Sequence, residues 1–200
     1  MLNDIAVNLI RWQPGLRGLL TRMSDPRILS LTEPIIPNLE PGSNVLDLGA
    51  GFCNITKYLR EQGHEVTPLD IHDLSLFPDI KPHIYDGRKI PYPDNHFDTT
   101  LLITVLHHTP EPMKILEEAM RVSKKQIIIV EDIFSSTWHK YLTWAMDSVV
   151  NLEFWGHPHS NKSDEEWREV FKDLGLTLKV AMYRNFWMMF SHATYVLEIN

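Results

Sequence analysis

Three aspartates and two glycines are the residues of this sequence best placed to do chemistry. The stretch "VLDLGAG" at 45–51 sets Asp47 two positions ahead of Gly49, with Gly51 next but one, just before a helical run. Glycines at such a turn let the backbone bend tightly and come close to a ligand. In an open parallel sheet, ligands sit beyond the carboxyl ends of the strands, where such turns lie. A pyrophosphate held there asks for G-x-G-x-x-G. Here the last glycine position is Asn54, and Asp47 would meet a phosphate with like charge. An ammonium or sulfonium beside that carboxylate is favoured instead. Asp70 closes the next strand-like run, "EVTPLD", about where nucleotide folds put the acid that takes ribose hydroxyls. Asp86 follows a third run in "HIYDG", where it could accept from an adenine amino group. Together they describe an adenosine ligand with a positive charge and no phosphate.

A second set of residues could move protons. In "LHHTPEP", His107 and His108 follow the fourth strand-like run, and an imidazole of near-neutral pKa suits proton removal. The competing reading, which we prefer, is that one histidine fills the core and the other bonds a loop. Cys53 stands at a helix start that could activate a thiol, but a small packing residue is the better description. Glu131 and Asp132 could be combined with His157 and His159 into a metal site. The His-x-His spacing matches no strong ligand motif, so no metal is expected and a loop bordering the pocket is preferred.

The elements that must position these groups follow from periodicity. Short apolar runs at 44–48, 65–69, 82–85, 98–104 and 126–131 alternate with helical stretches near 53–62, 111–123 and 136–151. That alternation is the pattern of an α/β protein with a mainly parallel sheet. "SDEEW" supplies a capping box, Ser163 with Glu166, opening a helix that stops at Gly175. Two last strands, at 176–183 and about 192–199, are too close for a parallel crossover and must form an antiparallel hairpin. Residues 1–40 are helical in pattern and interrupted by Pro14, Pro26, Pro34 and Pro37, which reads as an appendage before a 41–200 domain. Its Trp12, Arg17, Leu19, Leu20 and Met23 could rest on a membrane surface, but a lid over the site is preferred.

Bulk properties narrow the class. At 200 residues with 44% hydrophobic and 22% charged residues, the chain is an ordinary globular domain. A formal net charge of −7 disfavours a nucleic-acid partner gripped through phosphates. The single cysteine allows no internal disulfide. No apolar run approaches the roughly 20 residues that span a bilayer, and the first residues lack a signal-peptide pattern. A cytoplasmic protein is expected.

"VLDLGAGFCNIT", "VTPLDIH", "DGRKIPYPDNHFDTTLLITVLHHTPEP" and "RVSKKQIIIVED", in this order and spacing, resemble a class I S-adenosylmethionine-dependent methyltransferase. The closest flavour is the type 11 group, similar to ubiquinone- and menaquinone-biosynthesis enzymes. The resemblance covers about 40–200 and implies a Rossmann-like fold: a seven-stranded, mostly parallel sheet, an antiparallel C-terminal strand and helices on both faces. It implies S-adenosylmethionine as cofactor, S-adenosylhomocysteine as product and a small-molecule acceptor. It puts Asp47, Gly49, Ala50 and Gly51 around the methionine moiety and Asp70, with Ile71 beside it, at the ribose. Asp86 and Gly87 fall at the adenine, and Ile103 and Thr104 under the cofactor. Cys53 stands where many members carry a third glycine. A non-catalytic cofactor-binding protein of the same fold is the alternative. A nicotinamide-dependent oxidoreductase is disfavoured by Asp47 and the absent last glycine.

Overall fold

The computed structural model describes residues 7, 10–133, 162–186 and 190–199. The helix expected at 136–151 and the loop with His157 and His159 lie outside the described residues.

Seven strands form one sheet: β1 (Asn44–Leu48), β2 (Glu65–Asp70), β3 (His83–Ile84), β4 (Phe97–Ile103), β5 (Ser123–Ile133), β6 (Thr177–Phe186) and β7 (Phe190–Glu198). Their spatial order is β3-β2-β1-β4-β5-β7-β6. The first five pair in parallel, and β7 runs antiparallel between β5 and β6. The four described helices longer than one turn are α1 (Pro14–Thr32), α2 (Asn54–Glu61), α3 (Pro112–Val122) and α4 (Asp164–Asp173).

Strand side chains alternate between two buried faces, as the two-residue period requires. Leu46, Leu48, Leu102, Ile127 and Ile129 pack with Leu116 and Ala119 of α3 and Trp167 and Phe171 of α4. Val45, Leu101, Ile103, Ile128 and Val130 face the other way, onto Ile55 and Leu59 of α2 and Leu31 and Ile35 at the end of α1. Both faces are therefore covered, which explains the near-continuous apolar runs of β4 and β5.

Local signals act as expected at α4. The Ser163 hydroxyl accepts from the Glu166 backbone N–H, the Glu166 carboxylate accepts from Ser163 N–H, and Gly175 turns the chain out at φ +72°. At α1 the structure differs from the sequence expectation. Pro14 starts the helix, where its missing N–H costs nothing, but Pro26 lies inside a continuous helix that runs on to Thr32. Tertiary packing overrides that break, because Ile28, Leu31 and Ile35 beyond it are seated on the sheet. No described helix is long and apolar enough to cross a membrane.

Candidate active site

The glycine turn between β1 and α2 holds three left-handed residues in alternation: Gly49 at φ +77°, Gly51 at +49° and Cys53 at +60°. Gly49 has no alternative, since a Cβ there would stand 2.5 Å from Val105 Cγ2. The turn is laced to the end of β2. Gly49 and Ala50 N–H donate to Leu69 O at 2.8 and 3.2 Å, and Gly51 N–H donates to Asp70 Oδ2 at 2.8 Å. Cys53 is wholly buried in the left-handed conformation that favours glycine. Its thiol pKa is raised to about 12 by burial and by the charge of Asp47, so it is an inert packing group.

Asp47, at the end of β1, meets the helix that follows this turn. It is 2% exposed, and Thr56 Oγ1 on α2 donates to its Oδ2 at 2.5 Å. Burial pushes its pKa up to about 6; the charge of Asp70 adds to the rise, and the Thr56 hydrogen bond opposes it. Asp70 is half-exposed at the end of β2, and its Oδ1 accepts Ile71 and His72 N–H at 2.7 and 3.1 Å. Ile71 is 50% exposed. A Cβ on Gly87 would touch Ile71 Cγ2 at 3.2 Å, so the Asp86–Gly87 turn and the loop after β2 meet across an apolar wall. Asp86 is exposed and accepts Arg88 and Lys89 N–H at 2.9 and 3.2 Å; these hydrogen bonds hold its carboxyl below the ordinary carboxylate pKa.

The turn after β4 faces the glycine turn through Val105. Ile103 is buried, and Thr104 takes a left-handed φ of +54° while its N–H donates to Val130 O at 2.7 Å. A short 3-10 turn, Leu106–His108, follows. One carboxylate holds it: Glu131 Oε1 accepts Val105 and Leu106 N–H at 3.0 and 2.7 Å, and Oε2 meets His107 Nδ1 at 2.5 Å. His107 and Glu131 are both buried, while His108 is only partly so, its ring centroid 4.0 Å from that of His107. Next to them, His192 Nε2 lies 3.0 Å from Asp132 Oδ1 across the β5–β7 pairing. Burial works against the Asp132 charge, but His192, with His107 and Arg27 behind it, holds its pKa below the ordinary value.

The structure therefore gathers Asp47, Gly49, Ala50, Gly51, Asp70, Ile71, Asp86 and Gly87 at the β1–β2–β3 carboxyl edge. Ile103, Thr104 and the histidine pair border it. This donor set fits a phosphate-free nucleoside: a backbone cradle, a half-exposed carboxylate with an oxygen shared only with Gly51 N–H, and an apolar wall. Thr56, Val105 and the clamp role of Glu131 are not visible from sequence, because each depends on a partner distant in the chain. Among the described residues, no group of three or more His, Cys, Asp or Glu could hold a metal ion.

The chain is similar to known methyltransferases. A family profile described as a methyltransferase domain matches residues 46–130. The chain is 26% identical over 175 residues to the ubiquinone/menaquinone biosynthesis C-methyltransferase UbiE of Rickettsia akari, covering 70% of each chain. It is 29% identical over 126 residues to the demethylmenaquinone methyltransferase of Renibacterium salmoninarum, covering 56% of this chain and 53% of that one. The chain thus spans 53–70% of the length of these relatives. Among solved structures, a SAM-dependent methyltransferase from Aquifex aeolicus superposes with TM-score 0.65 at 20% identity, covering 92% of this chain and 98% of that one.

Proposed function

Given that the chain carries a class I S-adenosylmethionine-dependent methyltransferase domain, we propose that it methylates a ring carbon of a small hydroxylated aromatic acceptor of the quinol class. When bound, the cofactor supplies a methyl group on a cationic sulfur, open to in-line displacement. The named activities of the two curated relatives support the acceptor class.

The observation that carries the reading is the asymmetry of the histidine pair. His107 is locked on Glu131 in the interior, and His108, one residue on, is partly exposed at the edge that holds Asp70 and Ile71. A ring carbon becomes a good nucleophile when a neighbouring hydroxyl loses its proton, and an imidazole near neutral pKa can take it. His108 is assigned that role, and His107 the role of holding it in place. Asp70 would take the ribose hydroxyls, and Gly49 to Gly51 would approach the aminoacyl end. The N-terminal segment ahead of Ile28 acts as a lid that keeps water from the reacting edge, with Ile28, Leu31 and Ile35 anchoring it on the sheet.

Two measurements test this. Calorimetry should show S-adenosylhomocysteine binding more tightly than NAD, and the reverse order would end the cofactor reading. Turnover with a deuterated-methyl donor should label a water-soluble hydroquinone on carbon. His108→Ala should lower that rate by about 10²–10⁴-fold and remove an ionisation between about pH 5 and 8. A wild-type profile in the variant would return His108 to a packing role, and labelling only of protein or nucleic acid would overturn the acceptor class.

A further inference from the structure

Arg11 is 8% exposed, a rare state for a guanidinium, and its partners lie more than 60 residues away. Nη2 and Nη1 donate to Asp73 Oδ1 and Oδ2 at 2.7 and 3.2 Å, Nη2 also reaches Asp73 O at 3.3 Å, and Nε donates to Ser75 O at 2.6 Å. This is the fork geometry that arginine supplies and lysine does not. The segment it grips begins directly after Asp70 and is tied to the glycine turn as well, through Leu76 N–H to Phe52 O at 3.2 Å. Around the fork, Val7 and Ile10 pack with Leu74, Leu76, Phe77 and Ile80 against Ala50 and Cys53. The N-terminal segment, the loop after β2 and the glycine turn thus share one small core, separate from the two that cover the sheet faces.

We propose that Arg11 is a positioning residue for cofactor binding: by latching the N-terminal segment to Asp73 and Ser75 it holds the loop that orients Asp70. The inference rests on the cofactor site proposed above. Asp70 spends one oxygen on Ile71 and His72 N–H, so the path of that loop decides where the carboxylate points. Without the latch, Asp70 keeps its place on the strand and its contact with Gly51 N–H, but loses the constraint that the loop puts on its other oxygen. The ligand must then order the loop at the expense of affinity. Reciprocity requires that the ligand in turn tighten the latch.

The test uses the full chain and S-adenosylhomocysteine as the probe. Arg11→Met and Asp73→Asn should each weaken binding by about tenfold or more, as loss of a partly buried charged hydrogen bond does. The double variant should be little worse than either single one, because the two act as a unit. Arg11→Lys should recover only part of the loss. In the wild type, the ligand should slow amide exchange from Ile10 to Leu20, and in Arg11→Met that protection should vanish. A folded variant with lowered melting temperature but unchanged affinity would make the latch mere structural support and overturn the proposal. If Arg11→Met does not fold, Asp73→Asn, at a side chain that is itself 36% exposed, decides the matter alone. Failure of the wild type to bind the probe would instead remove the cofactor reading beneath it.

Discussion

Asp47 and Glu131 are two carboxylates at the same edge of one sheet, both removed from water, and they are treated in opposite ways. Glu131 is 0% exposed and receives three partners, two backbone N–H groups and an imidazole. Asp47 is 2% exposed and is held by Thr56 alone, through its hydroxyl and its backbone N–H, with the charge of Asp70 working against it and that of Arg60 only weakly for it. A buried charge is tolerated when its lone pairs are filled and costs free energy when they are not. Glu131 is therefore built into the fold as a clamp. Asp47 is left under-compensated, and a cation arriving above the glycine turn would relieve it. A carboxylate's role can be read from how fully its neighbours satisfy it before any ligand is present.

The largest expected effect is at the clamp. Glu131→Ala leaves Val105, Leu106 and His107 without their acceptor and should cost about 3–5 kcal/mol of stability in urea unfolding. A loss under about 1 kcal/mol would break the contrast from that side.

Next comes the pH dependence of Asp47. Its pKa rises from the model-compound 3.8 to about 6 on folding, chiefly by burial. A raised acid pKa gives stability that is fully present below the unfolded value and is lost as pH climbs through the folded one. The ligand-free protein should thus lose about 2–3 kcal/mol between roughly pH 4 and 7 from this group. Asp47→Asn should abolish that loss, matching the wild type at pH 4 and exceeding it at pH 8, while binding S-adenosylhomocysteine less well. Parallel melting curves from pH 4 to 8 check it, and parallel profiles in the two proteins would refute it.

Asp70→Ala sharpens the comparison between buried and accessible carboxylates. It should weaken S-adenosylhomocysteine binding by about 1–3 kcal/mol in calorimetry and cost less stability than Glu131→Ala, because the N–H groups that it releases lie at a partly exposed edge that water reaches. Unchanged affinity would move the ribose contact elsewhere.

The smallest effect is at Cys53. The left-handed backbone strains any residue with a Cβ by about 1–2 kcal/mol, while burial of the thiol returns about as much. Cys53→Gly should be close to neutral, and Cys53→Ala should be less stable than Cys53→Gly by about 1 kcal/mol, since alanine keeps the strain and loses the sulfur contacts. The opposite order would mean that the turn relaxes around the side chain.

The parts of this molecule that were legible in the sequence are those governed by near neighbours. Asp47, Gly49 and Gly51 lie within five residues, and their spacing alone announces the turn. Ser163 and Glu166 find each other three positions apart, and the short gap between β6 and β7 dictates a hairpin. Strand ends were less sharp: β5 runs from Ser123, three residues before the apolar core that marks it. Long-range partnerships had no signature at all. Nothing near Arg11 names Asp73, and nothing near Glu131 says that it accepts from Val105 and Leu106 instead of binding a metal with distant histidines. Pro26 misled for the same reason, since the packing that holds α1 together is tertiary.

The position of β7 has a consequence for how the chain is made. It lies between β5 and β6, so as the polypeptide leaves the ribosome β5 waits with one edge bare until the last strand emerges. That edge bears Ile127, Ile128, Ile129 and Val130, all destined for full burial, and β6 meanwhile has no neighbour to join. A nascent chain stalled at this stage offers an open apolar edge to any other strand, the condition for aggregation. A premature stop anywhere between β6 and β7 would therefore yield a sticky, chaperone-dependent product and not a shorter enzyme. β7 thus closes the sheet between two strands that are both made before it.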